Sequence, residues 1–238
     1  MPLLWHEDGG GITIGTVTIL DTTTRNPITL IGERAGVCWG ADTYDLAANY
    51  RRGWDCITSG HGRTLEFVNV EMVLDGYSAR VIREWYTHIG GAPTRLQAST
   101  RYIDYGVFGY VVPPSIAENE YCKGLYNIAM GAISGTIKVL EGEGIPREDA
   151  ALLLPLGMTT RVVDKRNLRN LIDMSRQRMC QRAFWEFRQL FDDISGALSR
   201  YSDEWEIVTD HLFMPKCEAL GKCPEKNGCG KYPKEDLT

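Results

Sequence analysis

Hydrogen-bonding groups crowd together in REWYTHIGGAPTRLQASTRY, residues 83–102. The run starts as an amphipathic helix and breaks at Gly90, Gly91 and Pro93. It then delivers Arg95, Gln97, Ser99 and Arg101 within a few residues. Guanidinium, amide and hydroxyl groups after a chain break suit the grip of a polar, phosphorylated ligand, whose oxygens accept all of these donors.

Three other groupings carry chemical potential. Arg178 and Arg182 stand four residues apart in a long helical pattern, so a continuous helix stacks them on one face with Leu171, Ser175 and Trp185. Two cations on such a face meet either a bound anion or an internal carboxylate such as Glu186 or Asp173. His61, Arg63 and Glu66 precede an alternating segment and serve either a cofactor or a polar turn. His211, Cys217, Cys223 and Cys229 follow one another with five residues between each pair. An imidazole and three thiolates can fill a tetrahedral zinc site, or an iron–sulfur site; a flexible tail with free thiols is the alternative. There is no G-x-G-x-x-G entering a helix, no phosphate loop of the G-x-x-x-x-G-K type, no H-E-x-x-H and no convincing Cys–His nucleophile pair.

The elements that must position these groups follow from periodicity. Residues 12–20 and 27–31 read as short strands, and 42–51 as a short helix. Val68, Val70, Met72 and Leu74 alternate with polar residues, a half-buried strand over 66–75. Ser78 caps a helix running to about His88, with Val81, Ile82 and Trp85 as its apolar stripe. Residues 103–112 read as a strand. A long helix from Ser115 to about Leu140 turns Leu125, Ile128, Ala132 and Leu140 toward the core. Pro146 opens a short helix, and 167–201 reads as the longest helix of the chain. Beyond Pro215 the sequence is rich in Gly, Lys and Cys, without helical period.

The 238 residues suffice for one large domain or two small ones. A net charge of −5 disfavours nucleic acid held by bulk charge. No apolar run approaches the roughly 18 residues that cross a bilayer, so no membrane partner is expected. The N-terminal residues carry no secretory pattern, and seven cysteines without that pattern argue against a disulfide framework; a cytoplasmic location is expected.

Four blocks, in order, resemble the flavin-dependent thymidylate synthases (the ThyX, or thymidylate synthase-complementing, family). HGRTLEF at 61–67 is similar to the family's H-x-S/T-x-x-E-H. Ser99-Thr100-Arg101-Tyr102 resembles its S-x-R-Y, with His88 at the centre of the preceding segment. LLLPLGMTT at 152–160 resembles its V-L-P-x-x-x-Y-T. Asn167-Leu168-Arg169-Asn170-Leu171, with Arg178, Ala183, Trp185 and Glu186, resembles its long arginine-bearing block. The resemblance spans roughly residues 28–191.

The resemblance implies an α+β fold with a central, mostly antiparallel sheet flanked by long helices. The chain is accordingly divided into a domain of this kind over 1–210 and, from its own composition, a Cys-rich tail over 211–238. The resemblance also implies methylation of dUMP to dTMP by a homotetramer with shared sites, using FAD, NADPH and 5,10-methylenetetrahydrofolate. By match of position, Glu84, Gln97, Ser99, Thr100 and Arg101 hold dUMP, and Arg178 is the catalytic cation at the uracil ring. Arg63, Glu66, His88, Asn167, Asp173 and Arg182 hold FAD. The chain departs from the family at Thr87, Ile89 and Ala151, where cations are usual. Arg95, returned by the inserted Gly90–Pro93 loop, is expected to replace part of that charge at the flavin, with Arg63 a second candidate. The departures also leave room for transfer of another one-carbon group, such as hydroxymethyl, or for a catalytically silent nucleotide-binding protein.

Overall fold

The computed structural model describes residues 15–234. In chain order the elements are β1 (Thr16–Ile19), α1 (Pro27–Gly36), α2 (Leu46–Thr58), β2 (Asn69–Ser78), α3 (Ala79–Trp85), β3 (Thr94–Gln97), α4 (Pro114–Ala117), α5 (Glu120–Gly142), α6 (Arg147–Ala150), β4 (Thr159–Asn167), α7 (Leu168–Arg178), α8 (Trp185–Ser199), α9 (Asp203–Leu212) and α10 (Lys216–Leu220). The four strands form one antiparallel sheet in the order β1-β2-β4-β3, which places the fold in the expected α+β class. The strand expected from Ile12 begins at Thr16 among the described residues; Ile12–Ile14 lie outside them.

The chain divides into two compact units. One holds Leu74–Tyr86 and Leu96–Val162; the other holds Val17–Val73, Thr87–Arg95 and Val163 onward. The 66–75 alternation is realised in β2, where Val70, Met72 and Leu74 are fully buried. β4 repeats that alternation, burying Val162, Asp164 and Arg166.

In the second unit, residues 27–31 are helical, not extended. Pro27 occupies the first turn of α1, where its missing N–H costs nothing, and the Ile-rich run becomes one buried helix face. Gly32 and Gly53 let α1 and α2 touch: a Cβ at Gly32 would lie 1.7 Å from the Asn49 carbonyl oxygen, and one at Gly53 1.9 Å from that of Ile28. The 167–201 helix is two helices. α7 ends at Arg178 and α8 restarts at Trp185, because Arg188 Nη1 donates to the carbonyls of Gln181 and Ala183 at 2.5 and 3.0 Å and fixes the turn between them. Arg178 and Arg182 therefore do not stack along one face.

In the first unit, 103–112 is irregular rather than a strand. Asp104 Oδ1 accepts from the Gly106 N–H at 2.8 Å, an Asx turn, and only Tyr110 bridges to Met158. Tyr105 and Phe108 drop into a core with Met130, Ile137, Ala150 and Met158. The expected long helix splits at Asn119, whose side chain caps α5. The buried face of α5 is Met130 and Ile137, flanked by Leu140. Leu125 and Ile128 are 51% and 70% exposed and Ala132 is exposed too, so those three point away from this core.

Candidate functional site

The second unit contains a tightly interlocked group. Ser78 ends β2 and caps α3, and Thr87–Arg95 then returns the chain to this unit. Here His88 Nε2 accepts from Arg178 Nε at 3.0 Å, and the imidazole stands edge-on to Phe187 with ring centroids 6.0 Å apart. The Arg178 guanidinium lies over the same Phe187 ring at 4.8 Å. Burial, then the charges of Arg178 and Arg166, lower the His88 pKa to about 4. The imidazole is therefore neutral near pH 7, which lets it accept a hydrogen bond from a cation.

Arg166 sits below this group, buried with Asp164. Its Nε and Nη2 reach the two Asp164 oxygens at 2.7 and 2.6 Å, and Nη1 reaches Asn170 Oδ1 at 2.7 Å. A buried bidentate pair with a third acceptor is rigid, and breaking one partner leaves an uncompensated charge. Burial lowers the Arg166 pKa against the raising effect of Asp164, and Arg95 adds a further lowering effect. Arg95 is half-buried on β3.

The N-terminus of α7 forms the next layer. Asn167 caps it, its Oδ1 accepting from the Asn170 N–H at 2.9 Å. The inserted loop packs onto this cap. Gly91 has φ +71°, and a Cβ there would lie 2.2 Å from Asn167 Nδ2; one at Gly90 would lie 2.9 Å from Asn170 Nδ2. The Gly-Gly pair is thus required by close approach, and Ala92 follows with φ 52°. Glu66, Gly90, Gly91, Asn167, Arg169 and Asp173 line a cavity of about 250 Å³, with Arg169 Nη1 on Glu66 Oε1 at 2.6 Å. Three expected flavin residues, Glu66, Asn167 and Asp173, therefore meet. Asp173 also lines a second cavity of about 760 Å³ with Arg178 and Arg182. Arg63 is exposed and lines neither cavity.

The expected nucleotide residues other than Arg178 lie in the other unit. Gln97 Nε2 donates to Thr160 Oγ1 at 3.2 Å, and Ser99 Oγ accepts from the Arg101 N–H at 3.2 Å. Thr100 and Arg101 are exposed, and Glu84 is half-buried on α3. Arg101 Nε reaches Glu148 Oε2 at 2.6 Å. Glu148 was not singled out from the sequence, and nothing in its local pattern marks it. The same holds for Phe187, whereas Asp164 and Arg166 share a signal: their place in the alternation along β4.

The three tail cysteines, Cys217, Cys223 and Cys229, also line the 760 Å³ cavity, joined by Cys180 from the turn after α7. His211 is not with them. It is exposed, its Nδ1 lies 2.9 Å from the Ile207 carbonyl oxygen, and its ring packs edge-on against Trp54. The Cys217 thiol is pushed up by burial first and then by the neighbouring Cys180 and Cys223. Among the described residues no three or more His, Cys, Asp or Glu side chains converge as a ready metal-binding group.

The family model of the thymidylate synthase complementing protein matches residues 19–200. A flavin-dependent thymidylate synthase of Nitratidesulfovibrio vulgaris is 31% identical over 190 residues, covering 74% of each chain. One from Clostridium tetani is 25% identical over 248 aligned positions, covering 93% of this chain and 96% of its own. Among solved structures, a UMP/dUMP methylase, PolB from Streptomyces cacaoi, bound with 5-Br dUMP, has the same fold. Its TM-score is 0.70 at 16% identity, covering 84% of this chain and 96% of that one.

Proposed function

The chain belongs to the thymidylate synthase complementing protein family, and we propose on that premise that it is a flavin-dependent thymidylate synthase. In this reading dUMP, 5,10-methylenetetrahydrofolate, NADPH and a proton give dTMP, tetrahydrofolate and NADP⁺. The observation that carries the reading furthest is the His88–Arg178–Phe187 group: a cation fixed by a neutral imidazole and an aromatic face.

Arg178 is the catalytic cation. Held in place before substrate arrives, it stabilises negative charge developing on the pyrimidine without reorganising. His88 keeps the guanidinium oriented and, being neutral, adds no competing charge. Gln97, Ser99, Thr100 and Arg101, with Glu84, hold the nucleotide, the phosphate exchanging with Glu148 for the Arg101 guanidinium. No cysteine is needed as nucleophile.

The donor set around the 250 Å³ cavity suits part of a flavin dinucleotide: the Asn167 and Asn170 amides, Arg169, and backbone opened by Gly90 and Gly91. FAD held there would supply the redox chemistry that the residues of this chain lack. Arg95 places a second positive charge near Arg166, which suits an anionic flavin dinucleotide, with Arg63 a peripheral contributor. The cavity accommodates only part of the cofactor, and in this reading further copies of the chain supply the rest of the site. Tyr121, Leu125, Ile128 and Val139 form an exposed apolar stripe along α5, 51–75% accessible, which suits a homotetramer interface. Seven free cysteines suit the reducing cytoplasm, and among the described residues no helix is long and apolar enough to cross a membrane.

Purified protein tests this directly. A flavin absorption band, and conversion of dUMP to dTMP that needs both methylenetetrahydrofolate and NADPH, are expected. A hydroxymethylated product, or a colourless protein inert after FAD is added, contradicts the reading.

A further inference from the structure

The C-terminal segment is ordered without an apolar core of its own. Between residues 214 and 234 the only buried side chains are Cys217 and Cys223, each 8% exposed. Two small thiols and the half-buried Met214, Pro215, Pro224 and Tyr232 bury little apolar surface against the ordering of some twenty residues, at roughly 1–2 kcal/mol of backbone entropy each. The surface pair Lys231–Glu218, at 3.2 Å, adds little. No disulfide is present, as all seven cysteines are free. A segment of this kind needs a staple of another sort.

The backbone around the thiols is shaped for one. Gly221 and Gly230 take φ of +65° and +87°, turning the chain after Cys217 and after Cys229. A Cβ at Gly228 would lie 2.8 Å from Cys223 Sγ, so glycine there keeps the sulfur uncovered. The Cys223 N–H donates to the Pro233 carbonyl at 2.7 Å, closing a loop that carries Cys229. The fourth thiol, Cys180, comes from the turn between α7 and α8, and all four line one cavity. Arg176, Arg182 and Lys216 line it too. Those cations would offset the net negative charge of any four-thiolate centre.

We propose that Cys180, Cys217, Cys223 and Cys229 are the four ligands of a tetrathiolate metal centre, an iron–sulfur cluster or a zinc ion, that pins the tail beside Arg178. Four thiolates are the donor set shared by these two centres. Binding releases the thiol protons to solvent and involves no change in oxidation state of sulfur. A single zinc gathers its sulfurs to about 2.3 Å of one point. The four thiols line one cavity but do not already converge as a metal-binding group, so either centre requires their side chains to draw together on binding. His211, turned toward Trp54, is not a ligand.

The test is metal and acid-labile sulfide analysis of the full chain, purified anaerobically from cells supplied with iron and zinc. Bound metal near one centre per chain is expected: iron with sulfide identifies the cluster, zinc without sulfide the ion. Cys180→Ser and Cys229→Ser are expected to lose at least ten-fold of it, while His211→Ala and Cys122→Ser keep it. Cys229 is exposed, so its variant tests ligation without disturbing buried packing; circular dichroism confirms that each variant is folded. Metal-free wild-type protein, or full retention of metal in the Cys180 variant, overturns the proposal. Metal content is read without dUMP turnover, so its outcome is separate from that of the proposed activity.

Discussion

The two units hold their candidate residues in opposite ways. In one, His88, Arg178, Phe187 and the buried Arg166–Asp164 pair lock each other before any ligand arrives. In the other, Thr100 and Arg101 lie exposed beside the half-buried Ser99, and the arginine is occupied by Glu148 on the surface. The difference matches the role proposed for each. Charge stabilisation at a reacting ring gains from a fixed cation, whereas a phosphate carries enough charge to displace a solvent-screened carboxylate.

If that contrast is right, substitutions in the two units act on different constants. The largest effect is expected at Arg178. Arg178→Ala should lower kcat by roughly 100- to 1,000-fold, the scale for loss of a preorganised charge-stabilising group. Steady-state kinetics with dUMP decide it, and a change confined to KM would break the comparison. Arg101→Ala should act on affinity, weakening dUMP by about 10- to 100-fold, on the scale of a charge-assisted hydrogen bond. Glu148→Gln should instead tighten dUMP by up to about five-fold, because it frees the guanidinium from a surface ion pair. Calorimetric titration measures both; weaker binding in the Glu148 variant would contradict the exchange.

Gly91→Ala probes how tightly the locked unit is built. A side chain at φ +71° and 2.2 Å from Asn167 should cost about 1–3 kcal/mol of stability and loosen flavin. Thermal melts with and without added FAD report it. The smallest effect concerns His88. Between pH about 4 and 6.5 the unfolded chain binds a proton at this imidazole that the folded chain does not, so its folded state loses stability as pH falls through that window. His88→Gln should flatten the pH dependence of Tm there; an unchanged slope would place the titration elsewhere.

Local pattern made β2, the Ser78 cap and the short helix after Pro146 legible, because alternation and capping chemistry are local. Pattern misjudged 27–31 and 103–112. In the first, Pro27 and the Gly32–Gly53 contact favour helix over the β-branched run. In the second, an Asx turn and two buried aromatics break the ladder. The break after Arg178 was invisible for a similar reason: it is held by Arg188 reaching back to carbonyls, with no proline to announce it. Family-like motifs picked out Glu66, Asn167 and Asp173, which share a cavity, but not the partners that come from distant segments. Cys180 and Glu148 belong to that class: each is ordinary in its own neighbourhood and acquires a role only from the chain folded against it.

The most direct test of the account is mass analysis of the nucleotide formed when the purified protein, loaded with FAD, is given dUMP, methylenetetrahydrofolate and NADPH. The account predicts dTMP, with Arg178→Ala folded, yellow and nearly inactive. No turnover by the flavin-loaded wild-type protein, or a product other than dTMP, would contradict it.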